Sequence, residues 1–295
     1  MQSAYSVQHQ NVRRTWILIF FFVALVTAGF YFIGWFYDSY WLAILGLGLS
    51  LGQSLIGYFF GDKIALMFAQ AQPTDPQVYP QIHNMVENLA KIAGIPKPKV
   101  YISPDPSANA FACGRSPEHA SICLNQGLLE ILNKNELEGV IAHEIAHIKN
   151  RDTLVMTVTM VLSSLIAFIA DIGARVALFG GEDKDAAKKS PILLILYILF
   201  LVLAPIISLL IQLAVSRSRE YLADATAVVF TRYPQGLIGA LQKISNYPVP
   251  SANYSTSMNH FYIIEPKQNF GETVESWFST HPPVEDRVAK LNQMA

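Results

Sequence analysis

Long uncharged apolar stretches alternate along the chain with stretches of mixed polarity. Residues 16–37, 40–60, 153–170 and 191–215 contain no charged side chain. Each stretch approaches or exceeds the roughly 20 residues that a helix needs to cross about 30 Å of hydrocarbon. The pattern therefore predicts four transmembrane helices, arranged as two hairpins.

Basic residues beside these stretches predict the orientation. They are Arg13 and Arg14 before the first stretch, Lys63 after the second, Lys149 and Arg151 before the third, and Arg217 and Arg219 after the fourth. Lysine and arginine next to membrane spans stay on the cytoplasmic side. Both termini are therefore expected in the cytoplasm, with the mixed-charge loop 182–190 as the one discordant segment.

The polar remainder predicts one cytoplasmic domain split by the second hairpin. Residues 1–15 form a cytoplasmic tail and residues 16–60 the first transmembrane hairpin. Residues 61–152 are the first part of the domain, residues 153–215 the second hairpin, and residues 216–295 the second part. The two parts together have the size of one ordinary domain.

Within this domain the sequence predicts helices and one small sheet. An amphipathic helix begins at Asp75, a strand covers residues 100–102, and a β-hairpin joins residues 109–113 to residues 120–124. A later helix is capped by Asn135 in a capping-box arrangement. The predicted fold class is a mainly α integral membrane protein with four transmembrane helices and an α+β cytoplasmic domain.

Composition excludes several classes of protein. Hydrophobic residues make up 52% of the chain and charged residues only 15%, where soluble proteins have about 25% charged residues. A net charge of −1 offers no basic excess for nucleic acid. The two cysteines, Cys113 and Cys123, match no disulfide scaffold or zinc knuckle, so we expect buried free thiols in a reducing compartment.

One motif carries metal chemistry: His143-Glu144-Ile145-Ala146-His147, an H-E-x-x-H pattern on a predicted helix. Histidines four residues apart share a helix face and can bind one Zn²⁺, while Glu144 can accept a proton from a water that zinc acidifies. No third histidine follows at the metzincin spacing, so a carboxylate must complete the ligand set. The alternative is a pair of surface histidines.

Two acids four residues apart, Glu220 and Asp224, lie on a helix that leaves the membrane where the histidine helix enters it. Glu220 has the longer side chain and is level with His147, so we expect it to be the third ligand. Asp224 is level with His143 and is expected to orient that ring from behind. The alternative is a solvated acidic face paired with neighbouring arginines.

Other candidate functional residues each have a functional and a structural interpretation. His281 either donates to a developing oxyanion or caps the last helix. Asn109 either lies on a strand that pairs with an extended substrate or is an ordinary hairpin residue. Asp171 and Arg175 are either functional charges within a span or an ion pair at the membrane interface.

Several segments resemble the HtpX membrane metalloproteases, which belong with the type 1 CAAX prenyl proteases. They are residues 142–152 around the histidines, the Ser-Arg-x-Arg-Glu-Tyr-x-Ala-Asp pattern at 216–224, Ser-Thr-His-Pro-Pro at 279–283, and Asn-Ala-Phe-Ala at 109–112. The resemblance covers nearly the whole chain, including the four predicted spans.

The resemblance implies a zincin-like (gluzincin) domain with one zinc ion held by His143, His147 and Glu220, and with Glu144 as general base. It also implies cleavage of misfolded or damaged membrane proteins at the cytoplasmic face of the bacterial inner membrane. The implied role is stress-linked quality control alongside an ATP-dependent membrane protease. The expected partners are the lipid bilayer and membrane-protein substrates, with no nucleic acid.

Two other functions compete with this one. An intramembrane protease would carry the motif inside an apolar span, but charged residues flank it here, namely Glu136, Glu138, Lys149, Arg151 and Asp152. A non-enzymatic membrane scaffold or transporter with an incidental histidine pair is the second alternative. Bound zinc and metal-dependent cleavage would distinguish it from a protease.

Overall fold

The computed structural model describes residues 4–36, 38–164, 217–251, 261–264 and 282–294. Most of the second predicted hairpin, including Asp171 and Arg175, lies outside these residues, and so does His281.

Two long apolar helices open the chain: α1 (Ala4–Phe36) and α2 (Trp41–Phe68). Both contain a segment long and apolar enough to cross a membrane. Large apolar side chains on their surfaces are exposed, among them Phe20 at 68% and Trp41 at 76%. An apolar surface of this extent matches a lipid environment. α1 begins within the predicted tail, and α2 continues past the predicted boundary at residue 60.

Helix α6 (Asp152–Ser164), the described part of the predicted third span, packs against both helices. Leu18 and Phe22 of α1 belong to one buried cluster with its apolar side chains. On α2, a Cβ atom at Gly57 would lie 3.2 Å from Val161 Cβ. Small residues let membrane helices approach closely, and glycine provides that approach here.

A four-stranded sheet consists of β1 (Gln72–Pro73), β2 (Lys99–Ser103), β3 (Ala110–Gly114) and β4 (Ala120–Asn125). The spatial order is β1-β2-β4-β3. β2 and β4 are parallel, while β1 and β3 run antiparallel to their neighbours. The predicted strand and hairpin are thus confirmed, and β3 is an edge strand.

Helix α5 (Lys134–Asn150) carries the H-E-x-x-H motif. The other described α-helices are α3 (Pro80–Ala93), α4 (Gln126–Ile131), α7 (Arg217–Thr231), α8 (Pro234–Asn246) and α9 (Val284–Asn292). Side chains from α3, α5, α7 and α8 form the main apolar core with those of the sheet. At Gly139 an added Cβ would lie 2.7 Å from the backbone nitrogen of Leu237, so α8 lies directly against α5.

Two helices begin elsewhere than predicted. The N-cap of α5 is Asn133, not Asn135, and its side chain forms a capping box with Glu136. The shift arises because Glu136 reaches back to the Asn133 N–H at 2.8 Å. α3 begins only at Pro80, because residues 75–79 form a separate turn in which the Asp75 carbonyl accepts from the N–H groups of Val78 and Tyr79.

Candidate metal centre

The H-E-x-x-H motif lies in the buried middle of α5. His143 and His147 are only 1% and 4% exposed. Their four-residue spacing places both rings on one helix face, and the two Nε2 atoms are 3.1 Å apart. The helix thus directs two nitrogen donors at a single point.

Glu220 on α7 supplies an oxygen donor at the same point. Its Oε2 lies 3.7 Å from His143 Nε2, and its Oε1 lies 3.5 Å from His147 Nε2. One ligand atom from each of the three residues lies within 4.8 Å of the others. α5 and α7 approach this closely through fully buried alanines, Ala146 and Ala223.

These three residues fit a zinc ion. Zinc prefers imidazole, thiolate and carboxylate donors in tetrahedral geometry, and bonds of about 2.0–2.1 Å separate the ligand atoms by about 3.3 Å. The two Nε2 atoms are 3.1 Å apart, and each lies 3.5 or 3.7 Å from one of the two oxygens of the Glu220 carboxylate, so these separations are close to that value. The donor set and its spacing therefore both suit zinc.

A carboxylate lies behind each histidine ring. Asp224 Oδ1 is 3.0 Å from His143 Nδ1, and Asp152 Oδ2 is 3.0 Å from His147 Nδ1. Such partners fix the ring orientation and direct Nε2 towards a metal. Asp224 was expected at this place. Asp152 was not, and its only sequence signal is its position just beyond the histidine helix.

A buried arginine from the C-terminal helix completes the arrangement. Arg287 donates to both oxygens of Asp224, at 2.7 and 2.9 Å, and to the Ile263 carbonyl at 2.8 Å. Sequence analysis missed this residue. A signal existed, because Arg287 lies three residues after Val284 and four before Leu291, on the apolar face of α9.

Comparisons with known proteins now identify the family. The pattern of Peptidase family M48 matches residues 76–295. The chain belongs to peptidase family M48. Among similar M48 relatives, the protease HtpX homologue of Caldanaerobacter subterraneus subsp. tengcongensis is 42% identical, over 99% of this chain and 98% of that protein. The HtpX homologue of Pyrococcus furiosus is also 42% identical, over 96% and 95% of the two chains.

A solved structure shares the fold of this M48 protein. The crystal structure of S. mikatae Ste24p superposes with a TM-score of 0.51 at 20% sequence identity, covering 98% of this chain and 67% of that one. Together with the HtpX relatives, this confirms the resemblance found in the sequence. The chain is a membrane metalloprotease of family M48.

The electrostatics of the M48 site favour positive charge on the His147 ring, whereas burial lowers the pKa of His143. Burial alone would lower the pKa of His147, but the carboxylates of Glu220 and Asp152 outweigh burial and raise it to about 9. Burial would raise the pKa of Asp224, but Arg287 outweighs it and lowers that pKa to about 2. The surrounding carboxylates therefore stabilise a cation where the three ligand atoms meet.

Glu144 lies beside the ligands and against the edge strand. Burial raises its pKa to about 7, and the backbone N–H of Ala112 in β3 donates to its carboxylate. A carboxylate with a pKa near neutrality is suited to accept a proton and release it again. The edge of β3 that faces away from β4 is therefore next to the expected general base.

Asn109 makes contacts other than those expected of a substrate-binding residue. Its Oδ1 accepts from the Ile263 N–H at 3.0 Å, and its Nδ2 donates to the Ile264 carbonyl at 2.7 Å. It therefore holds residues 261–264 beside the start of β3. Substrate binding by Asn109 stays a prediction, as does oxyanion stabilisation by His281, which lies outside the described residues.

Proposed function

We propose that the protein is a zinc endopeptidase that cleaves membrane proteins at the cytoplasmic face of the cytoplasmic membrane. His143, His147 and Glu220 hold the zinc ion, and Glu144 is the general base. The observation that carries the proposal is the convergence of the three ligand atoms within 4.8 Å beside a buried glutamate. Membership of family M48 supports the same chemistry.

The catalytic step follows from these positions. A zinc ion held by His143, His147 and Glu220 would lower the pKa of a water molecule and so make it a nucleophile for a peptide carbonyl near neutral pH. Glu144 accepts the proton of the attacking water and passes it to the leaving amine nitrogen. The Ala112 N–H holds the Glu144 carboxylate in place for both transfers.

The edge strand offers a place for the substrate. Asn109 directs its carbonyl to β4, where it accepts from the Asn125 N–H at 3.0 Å. Backbone groups alternate in direction along a strand, so those of Ala110, Ala112 and Gly114 point away from β4. Their N–H groups donate to Asn109 Oδ1, to Glu144 and to Thr157 Oγ1, and the Ala110 carbonyl accepts from the Ile263 N–H. An extended peptide that adds to this edge would replace these internal partners and lie beside Glu144.

The position of the site next to an apolar helix favours membrane proteins as substrates. His147 is only five residues before Asp152, where the apolar helix α6 begins. A polypeptide that leaves the bilayer next to α6 therefore comes close to the ligands. Quality control of misfolded or damaged proteins, alongside an ATP-dependent membrane protease, is the role that the HtpX resemblance suggests.

The experiment compares wild type with Glu144→Gln, purified full length in detergent. We expect about one zinc per chain in both proteins by elemental analysis. Cleavage of labelled casein should fall by about 10²–10⁴-fold in the variant, because the base is lost and every ligand is kept. Full activity of Glu144→Gln would contradict the mechanism. Proteomics of membrane fragments from cells carrying each form then identifies natural substrates.

A further inference from the structure

The N-terminal helix reaches the metal centre through one buried amide. Asn11 on α1 is 1% exposed. Its Nδ2 donates to the Asn150 carbonyl at 2.9 Å and to Asp152 Oδ1 at 2.7 Å. One turn earlier, Gln8 donates to the Lys149 carbonyl at 2.7 Å. Both side chains thus bind the end of the histidine helix.

The turn that Asn11 binds gives Asp152 its direction. α5 ends at Asn150, and Arg151 adopts the left-handed conformation with φ of 59°. In a continuous helix, residues five apart point about 140° away from each other, so Asp152 would not face His147. The left-handed residue breaks the helix and turns the Asp152 carboxylate back to that ring.

This turn needs support from outside. A left-handed conformation at a residue other than glycine costs of order 1 kcal/mol and persists where surrounding contacts hold it. Asn11 binds both sides of the turn, namely the carbonyl before Arg151 and the carboxylate after it. The amide therefore stabilises the bend and fixes the carboxylate at once.

The two oxygens of Asp152 have separate partners. Oδ2 lies 3.0 Å from His147 Nδ1. Oδ1 accepts from Asn11 at 2.7 Å and lies 3.8 Å from the guanidinium of Arg219. Loss of the Asn11 amide would remove the short hydrogen bond on Oδ1 and let the carboxylate rotate away from the histidine.

We propose that Asn11 is a positioning residue of the metal centre, acting through Asp152 on His147. The first membrane helix is then part of the zinc site as well as an anchor. The inference rests on the proposed function, because it assumes that His147 binds zinc. The inference adds to the metal centre a residue of α1, a helix that contributes no metal ligand.

The test is the zinc dissociation constant of the purified full-length protein, measured by competition with a chelator. Residues that hydrogen-bond a ligand usually change metal affinity by about 10–100-fold. Because Asn11 acts one contact further out, Asn11→Ala should weaken zinc binding by roughly 3–10-fold. Gln8→Ala is the matched control. It removes a hydrogen bond between the same two helices without contacting Asp152, and should change affinity less than about twofold.

A double-mutant cycle separates positioning from general packing. In an Asp152→Asn background, Asn11→Ala should have an effect below about twofold, because its route to His147 is already broken. Equal weakening in both backgrounds would overturn the proposal. Asn11→Leu keeps the side-chain volume but removes the hydrogen-bond donors. If Asn11→Ala does not fold, we expect the same loss of zinc affinity from Asn11→Leu.

The outcomes for the inference and for the proposed function are distinct. Wild-type protein that binds no zinc would contradict the proposed function and this inference with it. Wild type that binds zinc, with Asn11→Ala and Asn11→Leu binding equally well, would overturn the inference alone.

Discussion

The two histidines of the metal centre have matching geometry but different supports. Each has Nε2 towards Glu220 and a carboxylate 3.0 Å behind Nδ1. Behind His143, Asp224 is paired with the guanidinium of Arg287. Behind His147, Asp152 accepts a short hydrogen bond from the neutral amide of Asn11 on α1, and the guanidinium of Arg219 lies further off, at 3.8 Å.

The two histidines also have pKa values shifted in opposite directions. The pKa of His143 is lowered, because burial outweighs the hydrogen bond to Asp224. The pKa of His147 is raised, because the carboxylates of Glu220 and Asp152 outweigh burial. One side of the site thus depends on a buried ion pair between α7 and α9, and the other on a hydrogen bond from the apolar helix α1.

The largest effect is expected on the His143 side, from Arg287→Met. The change leaves Asp224 as a buried charge without its ion pair, which typically costs about 3–5 kcal/mol of stability. Chemical denaturation of the metal-free protein in mild detergent measures the loss. Lys290→Met is the control, because that lysine is on the same helix but exposed, over the ring of Tyr221. If Arg287→Met and Lys290→Met are equally stable, the Arg287–Asp224 ion pair does not stabilise the His143 side, and the contrast with the His147 side is wrong.

Asp224→Asn should affect both stability and metal affinity. It leaves Arg287 buried without its carboxylate and weakens the partner of His143, so zinc affinity should fall by about 10–100-fold. Chelator competition gives the affinity, and the denaturation experiment gives the stability. Loss of affinity with unchanged stability would show that the ion pair does not hold this side together.

Asp152→Asn should have the smaller effect on stability. It removes a charge that faces a neutral amide at 2.7 Å and the guanidinium of Arg219 at 3.8 Å, beyond hydrogen-bond distance, so it should cost less stability than Asp224→Asn. Zinc affinity should again fall by about 10–100-fold. The control is Asp286→Asn, an exposed acid of α9. If Asp152→Asn destabilises the metal-free protein as much as Asp224→Asn does, the two supports are equivalent and the comparison fails.

Local patterns predicted the elements that carry the ligands. The spacing of His143 and His147 and the later acid Glu220 were visible in the sequence, because a helix repeats every 3.6 residues and the motif depends on that repeat. The turn residues 114–117 between two short apolar runs predicted the hairpin of β3 and β4, and the structure confirms it. It also confirms buried free thiols at Cys113 and Cys123.

The supports of the site could not be predicted in the same way. Asp152 faces His147 only because Arg151 is left-handed, and nothing local marks that residue as the end of the helix. Arg287 and Asn11 reach the centre from opposite ends of the chain. Periodicity places Arg287 on the apolar face of α9, but it does not identify Asp224 as the partner, and it gives no signal for Asn11. Sequence patterns therefore predicted the ligands better than the residues that hold them.

The most direct test of the account is the zinc content of Glu220→Gln beside that of Asp224→Asn. Both changes replace an acid by its amide on the same face of α7. Only Glu220 lies close to both Nε2 atoms, at 3.7 and 3.5 Å, whereas Asp224 lies behind one ring. Elemental analysis of the purified proteins should find Glu220→Gln largely free of zinc and Asp224→Asn still loaded under excess metal. Zinc retained in Glu220→Gln and absent from Asp224→Asn would contradict the ligand assignment.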